Sequence, residues 1–365
     1  MKSSLPRAKQ GGKTAIGELA MIESIRRRAG SPRAPGLRLG IGDDCAILRP
    51  AAGEDIVVTT DFSLEQIHFR RDWHPPEAVG HRCLARGLSD LAAMGARPLA
   101  AFLSVALPGE LLTADEGRSW FDRFLDGFLA LARKAKVPLA GGDTAQSAAC
   151  SVRGRKLSGL VTADIVLLGA VKRGHALLRS GARAGDVIYV TGELGGAAAE
   201  LLAVGRNPER FTALTQAPVQ IQTGHPHLFP SPRLETARRL VAGRRVHSAI
   251  DLSDGLSTDL AHVCKASGLA AELDAAAIPI HPLAAQAEAD GWVRSAMDLA
   301  LHGGEDYELL FTAPKGTAIP RKLAGVGIHP IGQMQPRKPR RPAVVLRERD
   351  GRSTALEAGG WEHFR

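Results

Sequence analysis

The segments "EDIVVTTDF" (residues 54–62) and "AVGHRCLARGLSDLAAMGA" (residues 78–96) decide the predicted fold class. The first segment is a β-branched run, which favours a strand. The second segment carries apolar residues at helical spacing. Two more helices are predicted over residues 16–30 and 116–136, and a long strand within residues 157–171. Because strands and helices alternate, we predict the α/β class, with α and β elements combined around mixed sheets.

The same alternation starts again in the second half of the chain. A strand is predicted at "GDVIYVTG" (residues 185–192), and a helix at "GGAAAELLAVG" (residues 195–205). Later segments predict a helix near "RLETARRLVAG", a strand at residues 248–251, a helix at 256–268 and a strand at 307–313. A chain of 365 residues, 44% of them apolar, is long enough to form two hydrophobic cores.

Charge and glycine interrupt the apolar runs near residues 172–186, and we place the boundary between two domains there. The chain is therefore expected to have four parts: a flexible lead over residues 1–14, an N-terminal domain over 15–172, a C-terminal α/β domain over 173–345 and a tail over 346–365.

The formal net charge of +9 is the main compositional signal about partners. Much of the excess lies in the first dozen residues and in "QPRKPRRP" (residues 335–342), beside proline and glycine rather than on a helical face. We expect solvated loops here and no nucleic-acid partner, because no aromatic residues for base stacking interleave with the basic ones. A nucleic-acid-binding or nucleotide-binding protein without turnover is the alternative from another functional class.

The sequence also predicts a cellular location. No run of 18 or more uncharged apolar residues occurs, and no apolar segment follows the basic N-terminus, so neither membrane insertion nor secretion is expected. The four cysteines, Cys45, Cys83, Cys150 and Cys264, stand far apart without zinc-ligand spacing. A reducing cytoplasm fits this pattern best.

Acidic residues recur beside glycine, serine or threonine where apolar runs begin or end. They are Asp43, Asp44, Asp61, Asp90, Asp143, Asp251, Asp254, Glu305 and Asp306. Each alone is typical of a turn or a helix N-cap. Together, with small neighbours that leave room for an ion, they favour Mg²⁺ bound with nucleotide phosphates. Structural Ca²⁺ sites are the alternative, although the EF-hand spacing is absent.

Motifs of other nucleotide and hydrolytic enzymes are missing from the sequence. The segment "GGKT" (residues 11–14) lacks the earlier glycine and the preceding strand of a P-loop, and no GxSxG, HExxH or GxGxxG pattern occurs. Phosphate chemistry in this chain is therefore expected to depend on carboxylate-held cations.

The motifs "GIGDDCAIL", "TTD" followed by "HF", "LSDLAAMGA", "GGDT", "AIDLSDGLSTDL" and "GGEDYELLF" follow one another along the chain. In these motifs and their order the sequence resembles the thiamine-monophosphate kinases, from about residue 17 to the C-terminal "WEHF". That family belongs to the aminoimidazole ribonucleotide synthetase-like superfamily. The resemblance implies a two-domain fold of that superfamily and a homodimer whose N-terminal domains pair into a β-barrel.

The resemblance further implies a reaction. The γ-phosphoryl group of ATP, the co-substrate, would pass directly to the phosphate of thiamine monophosphate, with several Mg²⁺ ions bound. The product would be thiamine diphosphate. Repulsion between two phosphate groups dominates such a barrier, so positioning and charge neutralisation are the expected means of catalysis. Within the superfamily, an ATP-dependent ligase or cyclase like aminoimidazole ribonucleotide synthetase is the alternative.

Roles of individual residues are implied as well. The implied metal ligands are Asp44, Thr59, Thr60, Asp61, Asp90, Asp143, Asp251 and Asp254. The positions that match ATP contacts are Gly142, Asp143, Arg179 and Ser253. The positions that match contacts to the thiamine substrate are His68, Glu305 and Trp361. No general base is assigned, because the attacking phosphate oxygen is already anionic near neutral pH. The loops at residues 146–159 and 335–342 depart from the family pattern.

Overall fold

The computed structural model describes residues 18–30, 35–113, 118–152, 155–212, 224–243, 245–361 and 364. The predicted flexible lead, residues 1–14, lies outside the described residues. The helices are α1 (Glu18–Ala29), α2 (Pro76–Ala93), α3 (Trp120–Ala135), α4 (Gly196–Arg206), α5 (Pro208–Thr212), α6 (Leu234–Ala242), α7 (Leu256–Ser267), α8 (Pro282–Ala289) and α9 (Ala296–His302).

The strands alternate with these helices along the chain. They are β1 (Leu37–Leu39), β2 (Ile47–Leu48), β3 (Glu54–Leu64), β4 (Arg97–Leu107), β5 (Leu139–Gln146), β6 (Cys150–Val152), β7 (Arg155–Leu157), β8 (Thr162–Lys172), β9 (Val187–Thr191), β10 (Ser248–Asp251), β11 (Leu269–Asp274), β12 (Leu309–Ala313), β13 (Lys322–Leu323), β14 (Val326–Pro336), β15 (Val344–Arg347) and β16 (Ser353–Ala355). The helices and strands predicted from periodicity are present, with ends shifted by a few residues.

The first large sheet has the order β3-β8-β4-β5 and is mixed, since β3, β8 and β4 pair antiparallel while β4 and β5 pair parallel. Helices α2 and α3 cover one face through a core that contains Leu84, Phe124, Phe128 and Ile165. The other face of β3 carries large apolar side chains that are 40–60% exposed: Ile56, Val58 and Phe62. This sheet therefore has one apolar face that the described part of a single chain leaves partly in solvent.

The second large sheet has the order β10-β12-β9-β14-β11-β15-β16, with β13 added beside β14. Only the β11–β15 pair is parallel among its described pairings. A separate core beneath it includes Ile188, Leu260 and Leu310. Strand β15 crosses residue 345, so the sheet continues into the segment that sequence analysis assigns to the tail. The two sheets and two cores confirm a mixed α/β fold, and the described strands form no closed barrel.

Helix α2 lies between the two sheets. On one side it meets α3 so closely that a Cβ at Gly80 would lie 1.9 Å from the carbonyl oxygen of Phe124. From the side of α3, a Cβ at Gly127 would likewise lie 1.9 Å from the carbonyl oxygen of Glu77 in α2. On its other side, Ala92 and Ala93 of α2 pack against the second half of the chain, on Ala237 and Leu309. Glycine and alanine thus allow α2 to touch both halves.

The close contact of α2 with α3 predicts that Gly127→Ala destabilises the protein. Helix propensity alone would favour alanine by about 1 kcal/mol. The clash with a backbone oxygen outweighs this gain, because overpacking a rigid site costs about 1–3 kcal/mol or more. Thermal and urea unfolding followed by circular dichroism measure the change.

Gly243→Ala is the matched control for this prediction. Gly243 ends α6 with φ −73°, which alanine adopts freely, and a Cβ there would lie no closer than 3.4 Å to a neighbouring heavy atom. The control should change the free energy of unfolding by less than about 0.5 kcal/mol. Equal stability of the two variants would contradict the proposed steric role of Gly127.

Candidate active site

A cavity of about 530 Å³ opens between the two sheets, beside helix α2. Most of the predicted site residues line it together, although they come from distant parts of the chain. They are Asp61, His68, Asp90, Asp251, Ser253, Asp254, Glu305 and Trp361. The structure thus places the residues of the "TTD", "LSD", "AIDLSD" and "GGED" motifs around one space.

Three carboxylates form the acidic end of this cavity. Asp61 lies on β3, Asp90 on α2 and Asp251 at the end of β10. The Oγ of Ser89 donates a 2.8 Å hydrogen bond to Asp251, and the Oγ1 of Thr59 donates one to Asp90. Burial raises the pKa of each carboxyl, and the charge of Asp90 raises the pKa of Asp61 and Asp251 further. This end of the cavity therefore holds more negative charge than the protein neutralises.

The acidic end fits a divalent cation. Two positive groups act on these carboxylates: Arg86, whose Nε lies 3.7 Å from Oδ1 of Asp61, and Arg179, whose charge lowers the pKa of Asp90. All donor atoms of the three carboxylates are oxygens, which Mg²⁺ prefers. A cation shared among buried like charges would lower the pKa of each, because it favours the ionised form.

A second acidic group lies beside the first, where β10 leads into α7. One ligand atom from each of Asp254, Asp259 and His262 lies within 4.8 Å of the others. The carboxylate of Asp259 accepts the backbone N–H groups of Ser253 and Asp254, both at 3.1 Å. Burial, with the charges of Asp251 and Asp254, raises the pKa of Asp259 to about 8. Asp259 thus shapes the loop that carries two predicted residues.

Glu305 lines the same cavity, and Arg82 and His227 hold its carboxylate. Arg82 donates to both of its carboxylate oxygens, at 2.8 and 3.0 Å, and Nδ1 of His227 lies 3.3 Å from Oε2. Burial would raise the pKa of Glu305, but Arg82, His227 and Arg86 hold it well below its usual value. The backbone of Glu305 has φ +58°, a conformation that non-glycine residues rarely adopt. The network keeps Glu305 ionised in a strained turn.

Apolar and aromatic side chains also line the cavity. The lining includes Ile67, Phe69, Trp73, Tyr307 and Trp361, of which Trp361 is 56% exposed. In the same wall, the backbone N–H of Leu64 donates to Nδ1 of His68 at 3.0 Å. The proton of a neutral His68 ring is therefore on Nε2. The wall suits an organic ring system that also carries polar groups.

Three more of the predicted metal and nucleotide residues line another cavity, of about 970 Å³, along α1 and β5. Asp44, Gly142 and Asp143 line it. Gly142 has φ +149°, and a Cβ there would lie 1.8 Å from the carbonyl oxygen of Leu103, so only glycine fits before Asp143. Asp43 accepts the backbone N–H of Asp44 at 2.9 Å, in an exposed bend. The structure thus divides the predicted residues between two cavities.

Two predicted residues stand apart from both groups. Thr60 is exposed, because neighbouring residues of a strand point to opposite faces and Thr59 and Asp61 face α2. Arg179 is an exposed residue at the start of a short 3₁₀ helix. Its charge acts on Asp90 from there.

Sequence reasoning did not identify three site residues on α2. Arg82, Arg86 and Ser89 share the face of the helix that carries Asp90, with Arg82, Arg86 and Asp90 at four-residue spacing. Such spacing places side chains along one stripe of a helix. Charged residues repeated along that stripe, in a helix rich in alanine and leucine, are the signal that could have identified this face.

None of the described helices is both long enough and apolar enough to span a lipid bilayer.

Comparisons with known proteins show which family the chain resembles. Residues 42–171 match the family described as AIR synthase related protein, N-terminal domain, and residues 183–340 match its C-terminal domain. A thiamine-monophosphate kinase of Salmonella typhimurium is 37% identical over 355 residues, which cover 96% of this chain and 99% of that protein.

Solved structures of thiamine-monophosphate kinases are also similar to this chain. The thiamine-monophosphate kinase of Stenotrophomonas maltophilia K279a superimposes with a TM-score of 0.71 at 34% identity, covering 94% of this chain and 99% of that chain. AaThiL, solved in complex with AMPPCP and TMP, gives a TM-score of 0.66 at 25% identity and covers 96% of this chain and 97% of that one. With relatives this similar over nearly their whole length, the chain belongs to the thiamine-monophosphate kinase family.

Proposed function

We propose that this protein transfers the γ-phosphoryl group of ATP to thiamine monophosphate and forms thiamine diphosphate. One observation carries the proposal: a single cavity is lined by a group of buried carboxylates, by a glutamate that Arg82 holds and by aromatic side chains. The complex of AaThiL with AMPPCP and TMP supports the pair of substrates. The names of the Salmonella and Stenotrophomonas relatives support the reaction.

The residues that would hold Mg²⁺ are Asp61, Asp90 and Asp251, with Asp254 and Asp44 as further ligands. Bound there, Mg²⁺ would neutralise charge on the phosphate groups and align them for in-line transfer. The carboxylates need no other role, since the attacking phosphate oxygen is anionic near neutral pH. A dedicated general base is therefore not part of the proposal.

The aromatic wall is proposed to bind the thiamine rings. Trp361 would offer its ring face to the cationic thiazolium, since aromatic faces attract cations. His68 and Glu305 would supply polar contacts at fixed positions, because the backbone of Leu64 holds one and Arg82 holds the other. Because these side chains are already held in place, binding the rings would cost little of their conformational entropy.

The ATP contacts are proposed at Gly142, Asp143, Arg179 and Ser253. The guanidinium of Arg179 offers forked donors to phosphate oxygens. Gly142 allows close approach to the backbone, since it carries no Cβ. Asp143 lines the cavity beside β5, whereas Ser253 lines the cavity beside α2. A nucleotide that contacts both residues would extend from one cavity to the other.

A homodimer is proposed through the exposed apolar face of the first sheet. Large exposed apolar patches mark interaction surfaces, and Ile56, Val58 and Phe62 stand in one row on β3. A second copy of this sheet would cover the row and close a barrel across the interface. We also propose a cytoplasmic location, which the free thiols of Cys83 and Cys264 favour.

The proposed reaction is tested by incubating the purified protein with thiamine monophosphate, ATP and Mg²⁺ and separating the thiamine species by chromatography. Thiamine diphosphate is the expected product. Asp44→Asn should lower turnover roughly 100-fold or more, the loss typical of removing one charge-stabilising group.

Asp43→Asn is the control for this assay, since its amide oxygen can still accept the N–H of Asp44. It should keep turnover near that of the wild type. Absence of thiamine diphosphate with the wild-type protein would refute the proposed function. Full turnover by Asp44→Asn would refute only the role of that residue.

Mg²⁺ is predicted to raise the melting temperature of the wild-type protein, because a ligand of the folded state stabilises it by mass action. In Asp90→Asn the shift should largely disappear. Without metal this variant should be at least as stable as the wild type, because it relieves repulsion with Asp61 and Asp251.

Differential scanning fluorimetry with EDTA and with Mg²⁺ measures both effects. Asp350→Asn, on an exposed carboxylate paired with Arg352, is the control and should keep the full shift. An unchanged Mg²⁺ shift in Asp90→Asn would exclude this carboxylate as a ligand.

Val58→Glu is predicted to turn the dimer into a monomer, since Val58 is 60% exposed at the proposed interface and a charge there would be buried without a partner. Size-exclusion chromatography with light scattering measures the mass. Leu283→Glu, which adds the same charge at an exposed position of α8, should remain dimeric. A monomeric wild type, or a dimeric Val58→Glu, would contradict the proposed interface.

A further inference from the structure

Two arginines one turn apart on α2 have very different surroundings. The guanidinium of Arg82 is buried and saturated with partners: the carboxylate of Glu305, the carbonyl oxygen of His227 at 2.6 Å and that of His68 at 3.2 Å. It does not line the cavity. These contacts indicate that the role of Arg82 is to hold Glu305 in place.

Arg86 lines the cavity instead. Its Nη1 lies 3.6 Å from Oε1 of Glu305 and its Nε lies 3.7 Å from Oδ1 of Asp61, both longer than a hydrogen bond. The Nε–H group is buried and has no hydrogen-bond partner in the described part of the structure. A buried donor without an acceptor is rare in proteins. Arg86 is therefore placed between two carboxylates without being fully bonded to either.

The charge of the cavity lining shows why the position of Arg86 matters for ligand binding. The lining is strongly acidic, and its other arginine, Arg70, is engaged elsewhere: it pairs with Asp72 at 2.7 and 3.0 Å and lies 4.4 Å from the ring centre of Trp73. Among the described lining residues, Arg86 is thus the arginine that keeps a donor available to a ligand. In so acidic a space, a positively charged donor lowers the cost of admitting a phosphate ester, in addition to any bound cation.

We propose that Arg86 binds the phosphate of the acceptor substrate and thereby makes the cavity select the phosphorylated vitamin over thiamine itself. This rests on the proposed function. Arg86 stands between the acidic end, where transfer would occur, and Glu305, beside which the rings would lie. Its planar fork matches two phosphate oxygens, and Nε–H would gain the acceptor that it lacks.

The test measures binding of two ligands, thiamine monophosphate and thiamine, by calorimetry at fixed Mg²⁺ without ATP. The wild type should bind the monophosphate more tightly. Arg86→Met should weaken binding of the monophosphate roughly 10- to 100-fold, as expected for losing a charge-assisted hydrogen bond. Its affinity for thiamine should stay the same or rise, because removing a positive charge favours a cationic ligand.

Arg86→Lys, which keeps the charge but loses the fork, covers the case in which Arg86→Met does not fold. It should bind the monophosphate with intermediate affinity and thiamine as the wild type does. In kinetic assays both variants should raise KM for thiamine monophosphate far more than KM for ATP. Arg347→Met, on a surface residue paired with Asp274, is the control for the loss of one positive charge and should match the wild type.

The outcomes separate the two proposals. Equal losses for both ligands would mean that Arg86 only ties Asp61 to Glu305, and would overturn the inference while leaving the function intact. Equal affinity of the wild type for the two ligands would also overturn it. A wild type that binds neither ligand would overturn the proposed function and this inference together.

Discussion

The polar stripe of helix α2 is the constraint on which the rest of the structure depends. The helix is buried along nearly its whole length, so Glu77 and Arg82 are shielded from water, and Arg86 and Asp90 are exposed only in part, at the cavity. Buried charge is costly unless it is paired. The partners come from the other half of the chain: Glu305 meets Arg82, and Asp251 accepts a hydrogen bond from Ser89. The two sheets must therefore sit on either side of α2 in one arrangement, and the cavity forms where they meet.

This arrangement places two unlike sets of carboxylates around one cavity. In the first, Arg82 and His227 keep Glu305 ionised. In the second, burial raises the pKa of Asp61 and of Asp90, and the charge of Asp90 raises that of Asp61 further. A ligand that brings positive charge to the second set and rings to the aromatic wall would fit this cavity. The difference between the two sets is a property of the fold, because each uses side chains from both halves of the chain.

Local features of the fold could be predicted from the sequence, and long-range ones could not. Periodicity located α2 and β3, but β4 was not predicted because "RPLAAFLSVAL" is rich in alanine and leucine, a composition that buried helices share. The acidic motifs located Asp61 and Asp251. The pairing of Arg82 with Glu305 was missed because these residues are 223 positions apart, a distance over which no local pattern encodes a contact. For Thr60, strand alternation already predicts a side chain on the face opposite Asp61.

The adjacent charges of Asp43 and Asp44 show that a sequence motif does not determine how strongly two carboxylates repel each other. In the exposed bend, Asp43 turns its carboxylate back to accept the N–H of Asp44, and water screens the two charges from each other. Asp61 and Asp90, which are not adjacent in sequence, repel each other more strongly because burial removes that screening. Similar motifs, an aspartate beside small residues, therefore differ in how strongly their carboxylates repel a neighbouring charge. Burial decides between them, and burial depends on contacts between segments that are far apart in the chain.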